Sequence, residues 1–85
     1  MSWFVYILKC SDGSLYTGIT NNIENRIKAH RDGKGAKYTK GRGPFTIIYK
    51  ERCMNRSIAS KRESEIKSLN HKEKLKLKCN FSSLA

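Results

Sequence analysis

Five side chains that can take part in cleaving a phosphodiester are spread along the chain. They are two tyrosines, an arginine, a histidine and a glutamate: Tyr6, Tyr16, Arg26, His30 and Glu63. The reaction needs a base that activates water, positive charge beside the non-bridging oxygens, and usually a divalent cation held by a carboxylate. A buried tyrosine, whose ordinary pKa is about 10, acts as a base only where nearby cations ease proton transfer. The set contains a candidate for each need.

Each of these residues also has an ordinary structural explanation. The tyrosines suit strand packing, because strands are enriched in tyrosine. Arg26 and His30 suit a solvated helix flank, where the arginine would pair with a neighbouring acid. Glu63 suits an i,i+4 ion pair with Lys67, and helical periodicity does not distinguish it from Glu65.

The direction of the tyrosines depends on the register of a predicted hairpin. Residues 3–8 are aromatic and β-branched and are apolar on both faces, which predicts a strand in the centre of a sheet. A turn follows, and residues 15–20 resume a strand pattern. A two-residue loop would place Tyr6 and Tyr16 on opposite faces, whereas a three-residue loop with Gly13 in a left-handed bulge would place them on one face. The pattern leaves both registers open.

The remaining segments predict a third strand and three helices. An apolar stripe in the first helix places Arg26 and His30 at the border of its buried face. The order ββαβαα, in an α+β fold, suits a single domain over residues 1–85. The predicted ranges are a helix over 22–31, a glycine-rich loop over 33–44, a strand over 45–49, a helix over 55–69 and a shorter basic helix over 71–79. Thr20, Asn21 and Asn22 are N-cap candidates for the first helix, and the second has an apolar stripe at helical spacing: Ile58, Ala59, Ile66 and Leu69.

The loop over 33–44 carries basic side chains and a tyrosine that suit a nucleic acid: Lys34, Lys37, Tyr38, Lys40 and Arg42. In this interpretation the cations contact backbone phosphates and Tyr38 stacks on a base or sugar. The alternative is a solvated loop with Tyr38 packed on the sheet. The last helix has a similar pair of interpretations: a lid on the core through Leu75 and Leu77, or a face that contacts phosphates.

The chain as a whole is strongly basic. Eighteen Lys and Arg against seven Asp and Glu give a net charge of +11, spread along the sequence. Such a charge attracts polyanions, of which nucleic acid is the commonest, and an anionic membrane surface is the competitor. The longest apolar run is too short to span a bilayer and the first residues lack a signal-peptide pattern, so we expect a cytoplasmic protein. The spacing of Cys10, Cys53 and Cys79 predicts neither a disulfide framework nor a zinc site.

Taken together, these residues resemble the GIY-YIG nuclease superfamily over about residues 3 to 69. Phe4-Val5-Tyr6 stands at the GIY triplet and Tyr16-Thr17-Gly18 at YIG. Arg26, His30 and Glu63 are similar to later residues of the family's site. The run over 33–44 is similar to the small single-domain bacterial members of unassigned role.

The resemblance implies a three-stranded antiparallel sheet flanked by helices, with both tyrosines facing one cleft. It implies hydrolysis of DNA with one Mg²⁺ or Mn²⁺ held by Glu63. Tyr6 would act as general base or orient the attacking water, and Arg26 would stabilise charge on the phosphate. Tyr16 and His30 would orient water and phosphate or assist proton transfer. Gly18 would let the backbone pass close to the site, and a late polar residue, Asn70 or Asn80, would complete it.

These observations lead to three functional hypotheses. The first is a metal-dependent DNA endonuclease, structure-selective or weakly specific, with RNA as an alternative substrate and with a protein partner that selects the target. The second is a nucleic-acid-binding accessory module of the same fold that cleaves poorly or not at all. The third is a protein that binds ribosomal RNA, which explains the charge but not the catalytic set.

Overall fold

The computed structural model describes residues 2–35 and 39–84, and their side chains as far as Leu77. The fold is α+β in the predicted order, with an antiparallel sheet whose strands lie in the order β2-β1-β3. Over 2–35 and 39–84, no helix has the length and apolar character needed to cross a bilayer. The elements are β1 (Trp3–Lys9), β2 (Leu15–Thr20), α1 (Ile23–Arg31), β3 (Thr46–Cys53), α2 (Arg56–Lys67) and α3 (His71–Leu84).

The hairpin between β1 and β2 has a three-residue loop. Cys10 N–H donates to the Ser14 carbonyl at 2.8 Å, and Gly13 N–H donates to the Cys10 carbonyl at 3.0 Å. Gly13 has φ of 86°, the left-handed conformation that glycine adopts without strain. Tyr16 therefore lies opposite Leu8 and on the same face of the sheet as Tyr6. Of the two registers that the sequence left open, the structure has the one that brings the tyrosines together.

The central strand β1 is buried on both faces, as its apolar run predicted. Val5 and Ile7 face a core completed by Ala59 and Ile66 of α2. The other face carries Tyr6 and Leu8 of β1 and the following Cys10, which pack with Phe45 and with the two isoleucines of α1, Ile23 and Ile27. The candidate tyrosines thus lie on the α1 face, and α2, which carries Glu63, covers the opposite face.

Helix α1 has defined caps at both ends, which fix the turn on which the site depends. The Asn22 side chain accepts a hydrogen bond from Asn25 N–H at 3.1 Å, so the predicted N-cap region is confirmed. At the other end Gly33 has φ of 76° and donates to the His30 carbonyl, while Lys34 donates to the Ala29 carbonyl. This glycine ends the helix and turns the chain back over the site.

Several predicted boundaries and contacts were wrong in detail. Strand β3 extends to Cys53, beyond the predicted end at residue 49, because pairing with β1 continues through its polar residues. Helix α3 continues to Leu84 rather than 79. Of the two leucines expected to cover the core, Leu77 packs against it, whereas Leu75 is 36% exposed. Ile58, expected in the buried stripe of α2, is 45% exposed because it lies in the first turn, at the margin of the sheet.

The buried hydroxyl of Thr17 leads to a prediction on stability. Thr17 is 3% exposed, and its Oγ1 has no hydrogen-bond partner among the described residues. Since an unpaired buried hydroxyl costs about 1–3 kcal/mol, Thr17→Val should raise the free energy of unfolding by a comparable amount. Thr20→Val is the matched control, because Thr20 Oγ1 accepts from Asn22 N–H at 3.1 Å and its loss should destabilise. Urea denaturation of both variants checks the sign, and a loss of stability in Thr17→Val would contradict the prediction.

Candidate active site

Three aromatic rings from different elements converge on the α1 face of the sheet. The ring centroids of Tyr6 and Tyr16 are 6.3 Å apart, and His30 lies 6.0 Å from the first and 5.2 Å from the second. Phe45, which immediately precedes β3, closes the cluster with its ring 6.0 Å from His30. The hairpin register and the first helix therefore bring together three of the residues that the sequence singled out.

His30 lies at the centre of this cluster rather than on a solvated flank. It is 1% exposed, and both ring nitrogens have partners: Nε2 lies 2.9 Å from Tyr6 Oη and Nδ1 lies 2.8 Å from Thr39 Oγ1. Burial lowers the pKa of His30, and the positive charge of Arg26 lowers it further. The imidazole is therefore neutral at pH 7.

The phenol of Tyr6 is held in its protonated form. Burial raises its pKa above the ordinary value, interaction with Arg26 opposes this, and Tyr16 and Glu63 raise it further. Tyr6 Oη and His30 Nε2 share one hydrogen bond, and His30 Nδ1 shares another with Thr39 Oγ1; the imidazole tautomer decides which group donates in each. The result is a chain of hydrogen bonds from the phenol to the loop after α1.

Arg26 joins the tyrosines to the loop. Its Nη2 donates to the Gly35 carbonyl at 2.7 Å, and its interaction with the Tyr6 phenol is the largest cause of its raised pKa, with a further contribution from Tyr16. Its Nε is buried and has no hydrogen-bond partner in the described part of the chain. On a solvated helix flank Arg26 would pair with an acidic side chain. Its neighbours in the structure are the phenols of Tyr6 and Tyr16 and the Gly35 carbonyl. Arg26 thus lies between the phenols and the loop after α1, with its Nε buried.

Two glycines allow the backbone to approach these side chains. A Cβ on Gly18 would lie 2.7 Å from Tyr6 Oη and 3.0 Å from the ring of Tyr16. A Cβ on Gly35 would lie 2.3 Å from His30 Nδ1. Any larger residue at either position would displace an aromatic ring. The expectation that Gly18 lets the backbone pass close to the site is therefore confirmed, and Gly35 does the same beside His30.

Glu63 lies at the edge of the cluster. Its side chain is 22% exposed and its carboxylate pairs with Lys67 Nζ at 3.5 Å, the ion pair that the helical spacing allowed. Its charge nevertheless raises the pKa of Tyr6, which places it in electrostatic range of the phenol. Glu65 is 59% exposed and pairs with Arg62, so the structure separates the two glutamates that periodicity did not.

The donor set suits a cation bound largely by water and substrate. No group of three His, Cys, Asp or Glu side chains occurs among the residues that the structure describes. Both nitrogens of His30 are already engaged, so Glu63 is the candidate carboxylate ligand at this cluster. Mg²⁺ commonly binds through one or two carboxylates together with waters and phosphate oxygens, and the single carboxylate fits that mode.

The basic loop is attached to the site by residues that the sequence analysis did not select. Gly35 contacts Arg26, and Thr39 contacts His30. In the sequence these two residues stood out only as small residues within a basic stretch. The side chains of Lys34 and Lys40 are exposed, as phosphate contacts require. Arg42 forms an ion pair with Asp12 of the hairpin turn. Lys37 and Tyr38 lie outside the described residues.

Two asparagines were candidates for a late polar site residue. Asn70 caps α3: its side chain accepts from Glu73 N–H at 2.9 Å, and its own N–H donates to the Glu73 carboxylate at 3.0 Å. Asn70 is therefore engaged in a structural role. The side chain of Asn80 lies outside the described part of α3.

The lowered pKa of His30 predicts a pH dependence of stability. Below about pH 6.5 the unfolded chain takes up a proton on this histidine more readily than the folded chain. Stability should therefore fall as pH decreases from 6.5 towards the lower pKa of the folded state, with a slope of up to about 1.4 kcal/mol per pH unit. Denaturant titrations from pH 7.5 to 5 measure it. His30→Gln should abolish this fall of stability with decreasing pH. His71→Gln, at the exposed start of α3, should retain it. The same pH dependence of stability in both variants would contradict the role given to His30.

Comparison with known proteins gives a consistent set of relatives. A family model described as the GIY-YIG catalytic domain matches residues 2–76. The UPF0213 protein OB0043 of Oceanobacillus iheyensis is 57% identical over 74 residues, covering 87% of this chain and 86% of the relative. The UPF0213 protein CPE1444 of Clostridium perfringens is 58% identical over 74 residues, covering 87% and 80%.

A solved structure shares the fold. The solution NMR structure of the protein EF2693 from E. faecalis superposes with a TM-score of 0.67 at 38% identity, covering 96% of this chain and 88% of that one.

Proposed function

Because the chain belongs to the GIY-YIG family of catalytic domains, we propose that it is a cytoplasmic metal-dependent endonuclease that hydrolyses phosphodiester bonds of DNA. The observation that carries the proposal is the convergence of Tyr6, Tyr16, Arg26 and His30 in one cleft, with Glu63 in electrostatic range. A site of neutral phenols and imidazole beside a guanidinium suits an anionic substrate that must be attacked by water.

The hydrogen-bond chain suggests how water is activated. A water molecule near Tyr6 Oη would lose its proton to the phenol as the phenol's own proton passes to His30 Nε2, 2.9 Å away. The imidazole is ready to accept because its lowered pKa keeps it neutral. Thr39, hydrogen-bonded to Nδ1, holds the ring in the required orientation.

Arg26 would stabilise the charge that develops on the phosphate. Guanidinium groups contact phosphate oxygens through several N–H donors at once, and Arg26 holds such a group beside the two tyrosines. A Mg²⁺ or Mn²⁺ ion held by Glu63 would supply further positive charge at the same oxygens. Tyr16 would orient the attacking water or the phosphate.

The fold offers few features by which one DNA target could be selected over another. A net charge of +11 favours contact with any nucleic acid, and the exposed Lys34 and Lys40 would extend that contact along the backbone. Lys37, Tyr38 and Arg42 belong to the same proposed binding loop. Phosphate contacts carry no sequence information, so we propose weak or structure-based selectivity, sharpened by a protein partner.

The test is a cleavage and binding assay with the purified chain. Branched, nicked, single-stranded and duplex DNA are incubated with Mg²⁺, with Mn²⁺ and with EDTA, and a matched RNA is included. Cleavage that depends on the cation supports the proposal. Binding without cleavage in either metal would support the accessory-module alternative, and preference for the RNA without cleavage would support the RNA-binding alternative.

A further inference from the structure

A pocket beside the candidate active site brings two lysines together with an unpaired hydroxyl. It has a volume of about 430 Å³ and is lined by Leu15, Tyr16, Thr17, Lys67 and Lys74. The volume lies within the range of pockets that hold small ligands. It is formed where the outer strand β2 meets α2 and α3, so three elements contribute to it.

The chemistry of the lining indicates an anion joined to a flat or apolar group. Lys67 and Lys74 supply the two charged groups of the lining, and both are positive. Leu15 and the ring of Tyr16 supply the apolar side. Thr17 contributes a buried hydroxyl without a partner among the described residues. One nucleotide of a nucleic-acid strand combines these properties, with a phosphate for the lysines and a sugar or base for the tyrosine.

The pocket adjoins the candidate active site through two of its lining residues. Tyr16 lines the pocket and also packs against His30 with ring centroids 5.2 Å apart. Lys67 lines the pocket and pairs with Glu63 at 3.5 Å. A strand whose scissile phosphate lay beside Arg26 would therefore have this pocket next to it.

We propose that this pocket binds the nucleotide next to the scissile phosphate, with Lys67 and Lys74 contacting its backbone phosphate and Tyr16 contacting its sugar or base. The proposal rests on the proposed function for the position of the strand. It assigns to α3, which carries neither the tyrosines nor Arg26, His30 or Glu63, a direct part in substrate binding.

The experiment measures the affinity of Lys74→Met for DNA against that of Lys76→Met. Both lysines lie on α3, but Lys76 is exposed and does not line the pocket. Binding of a fluorescein-labelled single strand and its duplex is followed by anisotropy in EDTA over a series of salt concentrations. For Lys74→Met we expect an affinity lower by about three- to tenfold at low salt, and a salt slope reduced by about one contact. Lys74→Arg should restore both values.

The possible results separate this inference from the proposed function. Equal effects of Lys74→Met and Lys76→Met, with cleavage by the unaltered protein intact, would overturn the inference and leave the function standing. A selective loss in Lys74→Met in a protein that cleaves nothing would support the binding site and overturn the function. A free 5′-mononucleotide that binds the unaltered chain as tightly as the oligonucleotide, or no binding of DNA at all, would overturn the assignment to a strand.

Discussion

Replacing Glu63 by glutamine is expected to reduce DNA cleavage by about 10³-fold or more while the affinity for DNA stays the same or rises slightly. The amide keeps the size of the side chain but removes the charge that would hold a cation. It also removes the partner of Lys67, which lies 3.5 Å from the carboxylate, so electrostatic attraction to DNA does not weaken. Cleavage rates in Mn²⁺, anisotropy in EDTA and calorimetric titration with Mn²⁺ measure the three quantities.

Glu65→Gln is the matched control for this variant. Glu65 lies on the same helix, is 59% exposed and pairs with Arg62. Its replacement removes the same charge from the surface without touching the cleft, so cleavage and Mn²⁺ affinity should be retained. Equal losses in the two variants would show that α2 contributes only a general negative charge, and would remove Glu63 from the proposed metal site.

Replacing Arg26 by lysine is expected to reduce cleavage by about 10²–10³-fold, although the charge is retained. The guanidinium donates to the Gly35 carbonyl, and its raised pKa reflects interaction with the phenols of both tyrosines. A single ammonium group cannot reproduce this arrangement, because it has three donors at one point. We expect the loss in kcat rather than in KM, since the charge developed during the reaction is what the lost contacts would stabilise.

Arg31→Lys provides the comparison for Arg26→Lys. Arg31 is exposed at the end of the same helix, and its replacement changes the same chemical groups outside the cleft. Cleavage should be unaffected. An active Arg26→Lys enzyme would mean that only the positive charge at this position matters, and the role proposed for the guanidinium would have to be withdrawn.

The sequence predicted the elements better than their contacts. The run from Trp3 to Leu8 identified a central strand because its residues are apolar on both faces, and the cap at Asn22 located the start of α1. The hairpin register was undecided, because both loop lengths were compatible with the turn residues. That choice alone determines whether the two phenols share a cleft.

Contacts between distant segments were the part that local patterns could not supply. Thr39 and Gly35 lie in a stretch whose composition indicates only a loop, yet their partners are His30 and Arg26. The burial of His30 was underestimated for the same reason. Helical periodicity places His30 at the border of the buried face of α1, and it gives no information on the loop that covers the residue. Glu63 and Glu65 became distinguishable through their exposure, 22% against 59%, and through the effect of Glu63 on the pKa of Tyr6.

The three-residue turn at Gly13 makes the arrangement of the cleft depend on a length of chain as well as on side chains. Tyr6 and Tyr16 share a face because Tyr16 pairs with Leu8, which lies two positions from Tyr6 in β1. A two-residue loop in the same sequence would shift this pairing by one position and carry Tyr16 to the side covered by α2. The left-handed conformation of Gly13, at the tip of the hairpin, therefore helps to decide whether the two phenols lie together.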